Sequence, residues 1–171
     1  MRISQWVTGG AVVALAGCAT MQGGGMTMRS TLRNAQGQEV GMLTLSPSGA
    51  GTHVMLRVHG MTPGTHGAHI HNTGRCDAPA FTSAGPHLNT TNRMHGTQNP
   101  QGPHRGDMPN LVVAADGTGT LNLDLATPWG DIFDGDGSAI VVHANADDYM
   151  TDPSGNSGAR VACGTIGVRD M

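Results

Sequence analysis

Residues 52–60 read THVMLRVHG, and in them Val54, Leu56 and Val58 alternate with His53, Met55, Arg57 and His59. A period of two sends the three aliphatic side chains to one face and the polar ones to the other, the pattern of a strand with one buried face. Neighbouring stretches repeat it. TMRSTLRN (27–34) and EVGMLTL (39–45) flank AQGQ, a glycine-containing hairpin turn, and TLNLDL (120–125) follows the turn DGTG, with Leu121, Leu123 and Leu125 alternating with Asn122 and Asp124. GAHIH (67–71), LVVAA (111–115), SAIVVH (138–143) and VACGTIGV (161–168) bring the set to eight. The expected fold is all-β: an eight-stranded antiparallel Greek-key sandwich or flattened barrel.

Composition agrees with this. The chain has 171 residues, enough for one domain with a real core, and its 27 glycines, 3% aromatic and 12% charged residues suit short strands joined by many turns. Its nine basic residues are all arginines, scattered along the chain and set against 12 acidic ones. No basic run exists for a nucleic acid to meet.

The beginning of the chain reads differently. Arg2 precedes the mostly apolar stretch from Val7 to Gly17, which is too short and too glycine-rich to span a bilayer and ends at LAGC. LAGC resembles the lipobox of bacterial lipoproteins. The expectation is therefore a signal peptide over 1–17, an acylated Cys18, a flexible tether over 18–26 and a folded domain over 27–171, held by its lipid to a membrane on the periplasmic side of a bacterial cell envelope. Met21, Met26 and Met28 are read as tether and strand start, not as a site. In that oxidising space Cys76 and Cys163 are the cysteines left to pair, and closing so long a loop would stabilise the fold by about 4 to 5 kcal/mol on the chain-entropy model.

Two connections are too long to be mere turns, one over about 72–110 and one over about 144–159. Histidines gather on the first of them and at strand ends. In GAHIH, His69 and His71 are two apart, so a strand presents both imidazoles on one face. His143 ends another strand, and with one loop histidine the set reaches the four nitrogens that Cu(II) accepts. The first loop offers His87, His95, His104 and Asp107, three nitrogens and an oxygen, a set that suits tetrahedral Zn(II).

GAHIH, TSAGPH, HRGD, VVHANADD and GNSGARVACGTIG stand in this sequence in the order and spacing of the copper-zinc superoxide dismutase family, and the chain resembles that family over about 27–169. The resemblance implies copper ligands His69, His71, His87 and His143, and zinc ligands His87, His95, His104 and Asp107, with His87 bridging the metals. It implies that Asp147 links His69 to His95, that His66 supports a loop without binding metal, and that Arg160 stands at the mouth of the copper channel. The implied activity is conversion of superoxide to oxygen and hydrogen peroxide, with Arg160 and His87 as the catalytic groups.

The sequence also departs from the familiar eukaryotic enzymes. The segment from His143 to Arg160 is shorter and carries Asp147, Asp148 and Asp152 in place of their Lys and Glu residues. In a lysine-free chain of net charge −3, electrostatic attraction of the substrate falls to Arg160 and Arg105. A metal-storage protein on the same scaffold would be favoured by loss of Arg160 or of a copper ligand, and a copper-only form by loss of a zinc ligand. All of these residues are present. The sequence leaves open whether the chain acts alone or as a homodimer.

Overall fold

The computed structural model describes residues 26–167, so the expected signal peptide, Cys18 and the tether up to residue 25 lie outside the described residues. Nine strands form one antiparallel sheet: β1 (Met28–Asn34), β2 (Glu39–Ser48), β3 (Gly51–Val58), β4 (Gly64–His66), β5 (Ala68–His71), β6 (Leu111–Val113), β7 (Gly119–Leu125), β8 (Ser138–His143) and β9 (Arg160–Ile166). Their order across the sheet is β4, β6, β7, β3, β2, β1, β9, β8, β5. The two ends of that order, β4 and β5, are consecutive in the chain. The sheet therefore curls into a nearly closed barrel, with crossing connections from β3 to β4, from β5 to β6 and from β7 to β8.

The ninth strand is the difference from the sequence expectation. The run before GAHIH is a strand of its own, because at Gly67 the chain leaves the β6 edge and starts along β8. Gly67 N donates to Asn145 O at 2.8 Å, and Gly67 O accepts from His143 N at 2.8 Å. A Cβ at this position would lie 2.6 Å from Ser157 Oγ, so the crossing requires glycine.

The alternation in β3 is realised: Val54, Leu56 and Val58 are buried, and Arg57 and His59 are exposed. His53 pairs across the sheet with Asp124 at 2.9 Å. Leu32, Leu43, Leu45, Ile70, Leu111, Ile140 and Ile166 complete the central core. Strand β8 is buried at every position. Its inner face joins that core through Ile140 and Val142, while Ala139 and Val141 on the other face pack under the first loop against Phe81, Ala84 and Cys163. The unbroken apolar run AIVV is the sequence signature of that double burial.

The two long connections carry little regular structure. The first contains one 3-10 turn at Thr82–Ala84, and a short helix, α1 (Trp129–Ile132), lies between β7 and β8. Cys76 and Cys163 form a disulfide with a Cα–Cα separation of 5.7 Å, which ties the first loop to β9.

Candidate metal centre

The first loop reaches the histidines of β5 by running beside that strand. Ile70 N donates to Gly106 O at 2.9 Å, Ile70 O accepts from Leu88 N at 2.8 Å, and Gly106 N donates to Leu88 O at 2.8 Å. A Cβ at residue 106 would sit 2.1 Å from Ile70 O, so the glycine of HRGD is what lets Asp107 approach the strand. These backbone bonds set His87 beside His71 and Asp107 beside His69.

Two groups of buried side chains result. His69, His71, His87 and His143 form one, and His87, His95, His104 and Asp107 form the other; within each, the candidate ligand atoms lie within 4.8 Å of one another. His87 belongs to both. The residues singled out from the sequence are thus brought together as two sets that can each hold a metal ion.

In the first set one ring nitrogen of each imidazole is held and the other is left over. His69 Nε2 donates to Asp147 Oδ2 at 2.8 Å, His71 Nδ1 to Gly85 O at 2.8 Å and His143 Nδ1 to Gly158 O at 3.2 Å, while His87 Nδ1 lies 3.0 Å from Asp107 Oδ1. The remaining atoms, His69 Nδ1, His71 Nε2, His87 Nε2 and His143 Nε2, are buried with no hydrogen-bond partner. Each such nitrogen costs about 1 to 3 kcal/mol to desolvate unpaired. Four in one cluster are a fit for a nitrogen-seeking cation, and the carbonyls and the carboxylate behind them orient the rings toward it.

The second set centres on Asp107. Its Oδ1 lies 3.0 Å from His87 Nδ1, 3.0 Å from His95 Nδ1 and 3.5 Å from His104 Nδ1. Its Oδ2 accepts from Gly96 N and His104 N, each at 2.9 Å, which fixes the carboxylate. Three nitrogens and one oxygen in this arrangement suit zinc.

Protonation follows environment. Burial holds His69 below its ordinary value, lowers His71 to about 2, and brings His87 and His143 down to about 4. These rings are neutral at pH 7, the form that binds metal. For His95, burial opposes the charge, but hydrogen bonds to Asp107 and Asp147 outweigh it and raise the ring to about 9. A proton there occupies the place a cation would take. Burial likewise opposes ionisation of Asp107 and Asp147, and hydrogen bonds from the surrounding histidines overcome it and hold both carboxyls well below the usual carboxylate range.

Arg160 is half-buried, and burial lowers its pKa. Its Nη1 donates to Phe81 O at 2.7 Å and its Nη2 to Gly85 O at 2.6 Å. It lines a cleft with His71, His87 and His143. Arg105, expected to share in attracting the substrate, does not line that cleft. Its guanidinium lies instead in a separate cavity behind the first loop. His66 is buried outside both sets, with Nδ1 2.8 Å from His143 O and Nε2 2.9 Å from Thr62 O.

The chain matches the family model described as copper/zinc superoxide dismutase over residues 39–166. It belongs to the copper/zinc superoxide dismutase family. It is 41% identical over 145 residues to "Superoxide dismutase [Cu-Zn]" of Caulobacter vibrioides, a match that covers 80% of this chain and 83% of that one. Among solved structures it is similar to a SOD-like protein from Bacillus subtilis, with 38% identity and a TM-score of 0.76 over 82% of this chain and 98% of that one. It is also similar to Cu/Zn superoxide dismutase from Brucella abortus, with 28% identity and a TM-score of 0.69 over 83% and 100% of the two chains. Superoxide dismutases of this family are oxidoreductases that use copper and zinc, the two metals that the donor sets above suit.

Three residues around the site went unassigned in the sequence reading. Asp152 Oδ1 accepts from His95 N at 2.6 Å and lies 3.7 Å from His104 Nε2. Asn110 binds the backbone of Asp147, and Tyr149 OH accepts from Asn110 N at 2.8 Å. The tyrosine carries the one usable signal, since it is the chain's single Tyr and sits in a long loop. Asp148, beside Asp147, is exposed and binds Met150 N, Thr151 and Asn156, organising the turn it belongs to.

Proposed function

We propose that this chain dismutates superoxide at a copper centre held by His69, His71, His87 and His143, with His87 shared with a zinc held by His87, His95, His104 and Asp107. The observation that carries this reading is the cluster of four buried ring nitrogens without partners, beside a cleft that Arg160 lines. Copper held by the four histidines would supply the one-electron redox capacity that the reaction needs, and zinc, with its filled d shell, would supply charge and shape without redox change.

The chain's own residues do the rest. Phe81 O and Gly85 O fix the Arg160 guanidinium, whose remaining N–H groups attract and hold a small anion beside the histidines. Gly85 O also holds His71 Nδ1, so anion site and ligand share one anchor. His87, with one nitrogen toward each donor set, is the group placed to hold a proton at Nε2 and release it to the departing product. Asp147 fixes His69 and His95 together and so keeps the two sets in register. The LAGC box and the Cys76–Cys163 bond support an exported, lipid-anchored form that protects the cell envelope.

The test is superoxide loss with the copper- and zinc-loaded protein against the metal-free protein and an Arg160→Ala variant. Metal-dependent loss that falls in the variant is the expected result. Stoichiometric binding of both metals with no more turnover than the metal-free protein would instead assign metal storage on this scaffold.

A further inference from the structure

Arg93 and Arg105 line one cavity between the first loop and the segment that follows β7, with Thr91, His104 and Thr127 in its walls. The cavity shares no lining residue with the cleft at Arg160. Each guanidinium is fixed by one backbone carbonyl: Arg93 Nη2 donates to Gly102 O at 2.6 Å and Arg105 Nη1 to Ala126 O at 2.7 Å. The rest of each donor fork is uncommitted. Arg105 Nε is buried with no hydrogen-bond partner. The carboxylate facing it, Asp131 Oδ2, stands 3.9 Å away and accepts from Thr90 Oγ1 at 2.7 Å. Asp107 also lines the cavity, but its oxygens are committed to the histidines and to two backbone N–H groups. Among the described residues, then, no carboxylate pairs with Arg93, and Arg105 has only the long 3.9 Å contact to Asp131.

We propose that this cavity binds a phosphate-type oxyanion, held between the Arg93 and Arg105 forks. Two pre-oriented guanidiniums offer the parallel N–H donors that such an anion takes, and a partly enclosed cavity strengthens charge-assisted bonds relative to open water. Because Arg93 and Arg105 bracket His95 and His104 in sequence, the bound anion would cross-link the loop that carries those histidines. The proposal stands independently of the dismutase reading.

The probe is inorganic phosphate, titrated calorimetrically into the metal-loaded full chain. Saturable binding should weaken about tenfold or more in Arg93→Met, a change at an exposed position that leaves the fold in place. Arg105→Lys keeps the charge but loses the fork, and should fall between the parent and Arg93→Met. Arg160→Met removes the anion site of the cleft and should leave this binding intact. Phosphatidylglycerol vesicles test the other source of the same chemistry: co-sedimentation lost in Arg93→Met supports the site with a lipid headgroup as ligand, and binding of free phosphate alone supports it with a soluble ion. Phosphate binding that is equal in the parent and Arg93→Met, or that disappears in Arg160→Met, would overturn the proposal.

Discussion

Asn110 grips Asp147 at both ends of its backbone: Asn110 Oδ1 accepts from Asp147 N at 2.8 Å, and Asn110 Nδ2 donates to Asp147 O at 3.0 Å. The Asp147 carboxylate in turn holds His69 and His95, so one amide at the end of the first loop sets the position of a residue that touches both donor sets. Asn110→Ala removes both bonds and should cost about 2 kcal/mol of stability, together with roughly tenfold or more in metal affinity. Chelator competition against the parent, with thermal melting alongside, checks this. Unchanged metal affinity would mean that Asp147 keeps its place without the amide.

Asp152 grips the zinc-side set from the second loop. Its carboxylate accepts the His95 backbone N–H and faces His104 Nε2. Asp152→Asn keeps an acceptor for His95 N but loses the charge facing His104, whereas Asp152→Ala loses both. Zinc affinity should fall in the order parent, Asn, Ala, with the last reduced about tenfold or more and the copper-side set less affected. Metal-specific competition titrations separate the two effects, and a uniform loss of both metals would point to general loosening of the loop.

These two residues mark the boundary of what was legible in the sequence. Val54, Leu56 and Val58 announce β3 by their period, and the histidines announce themselves by number and spacing, because strand periodicity and ligand chemistry are both local patterns. Asn110 and Asp152 have no such pattern. Their partners lie 37 and 57 residues away and are met only when two irregular loops stack on one another. Strand β4 is hidden for a related reason: Gly64–His66 is three residues long with no apolar alternation, and it becomes a strand only by pairing with Leu111–Val113 far along the chain. Arg105 stood beside a ligand in sequence, yet its side chain leaves the loop on the side away from the cleft-lining residues, a direction that the motif HRGD does not specify.

The metal-free protein should be most stable near pH 6 to 7. His71, His87 and His143 have folded-state values below the unfolded value near 6.5, so the stability they contribute is complete above that pH and is lost as pH falls, down to about 4 for His87 and His143 and to about 2 for His71. His95 runs the other way: its value is raised to about 9, so its contribution is complete below about 6.5 and is lost as pH rises through about 9. Thermal melts of the metal-free protein from pH 4 to 9 should show both limbs. Zinc loading near pH 7 should release about one proton per ion, from His95, measurable by pH-stat.

Reduction of Cys76–Cys163, or its replacement by two serines, should cost up to about 4 to 5 kcal/mol on the chain-entropy model, since the bond spans 87 residues. The same change frees the loop whose Phe81 and Gly85 carbonyls fix Arg160. Denaturant unfolding should therefore show a lower midpoint, and turnover should fall even in variant protein that retains its full metal content. A stability loss without any change in turnover would show that β8 packing alone holds the loop against Arg160.

Arg160 is the single arginine among the residues that line the histidine cleft, and the chain as a whole carries net charge −3. Attraction of an anion then comes from one fixed charge acting at short range, against a net-negative background. Such a field is felt within a Debye length of about 8 to 10 Å, so salt has little long-range attraction to screen. The rate constant for superoxide should accordingly change less than about twofold between low and physiological ionic strength. Arg160→Ala should lower it by about tenfold while leaving copper and zinc content unchanged, and Arg160→Lys should restore part of it, since the charge returns without the fork that Phe81 O and Gly85 O hold. Stopped-flow decay of superoxide at several salt concentrations reads all three. A steep fall with salt in the parent that persists in Arg160→Ala would place the attracting charge elsewhere on the surface.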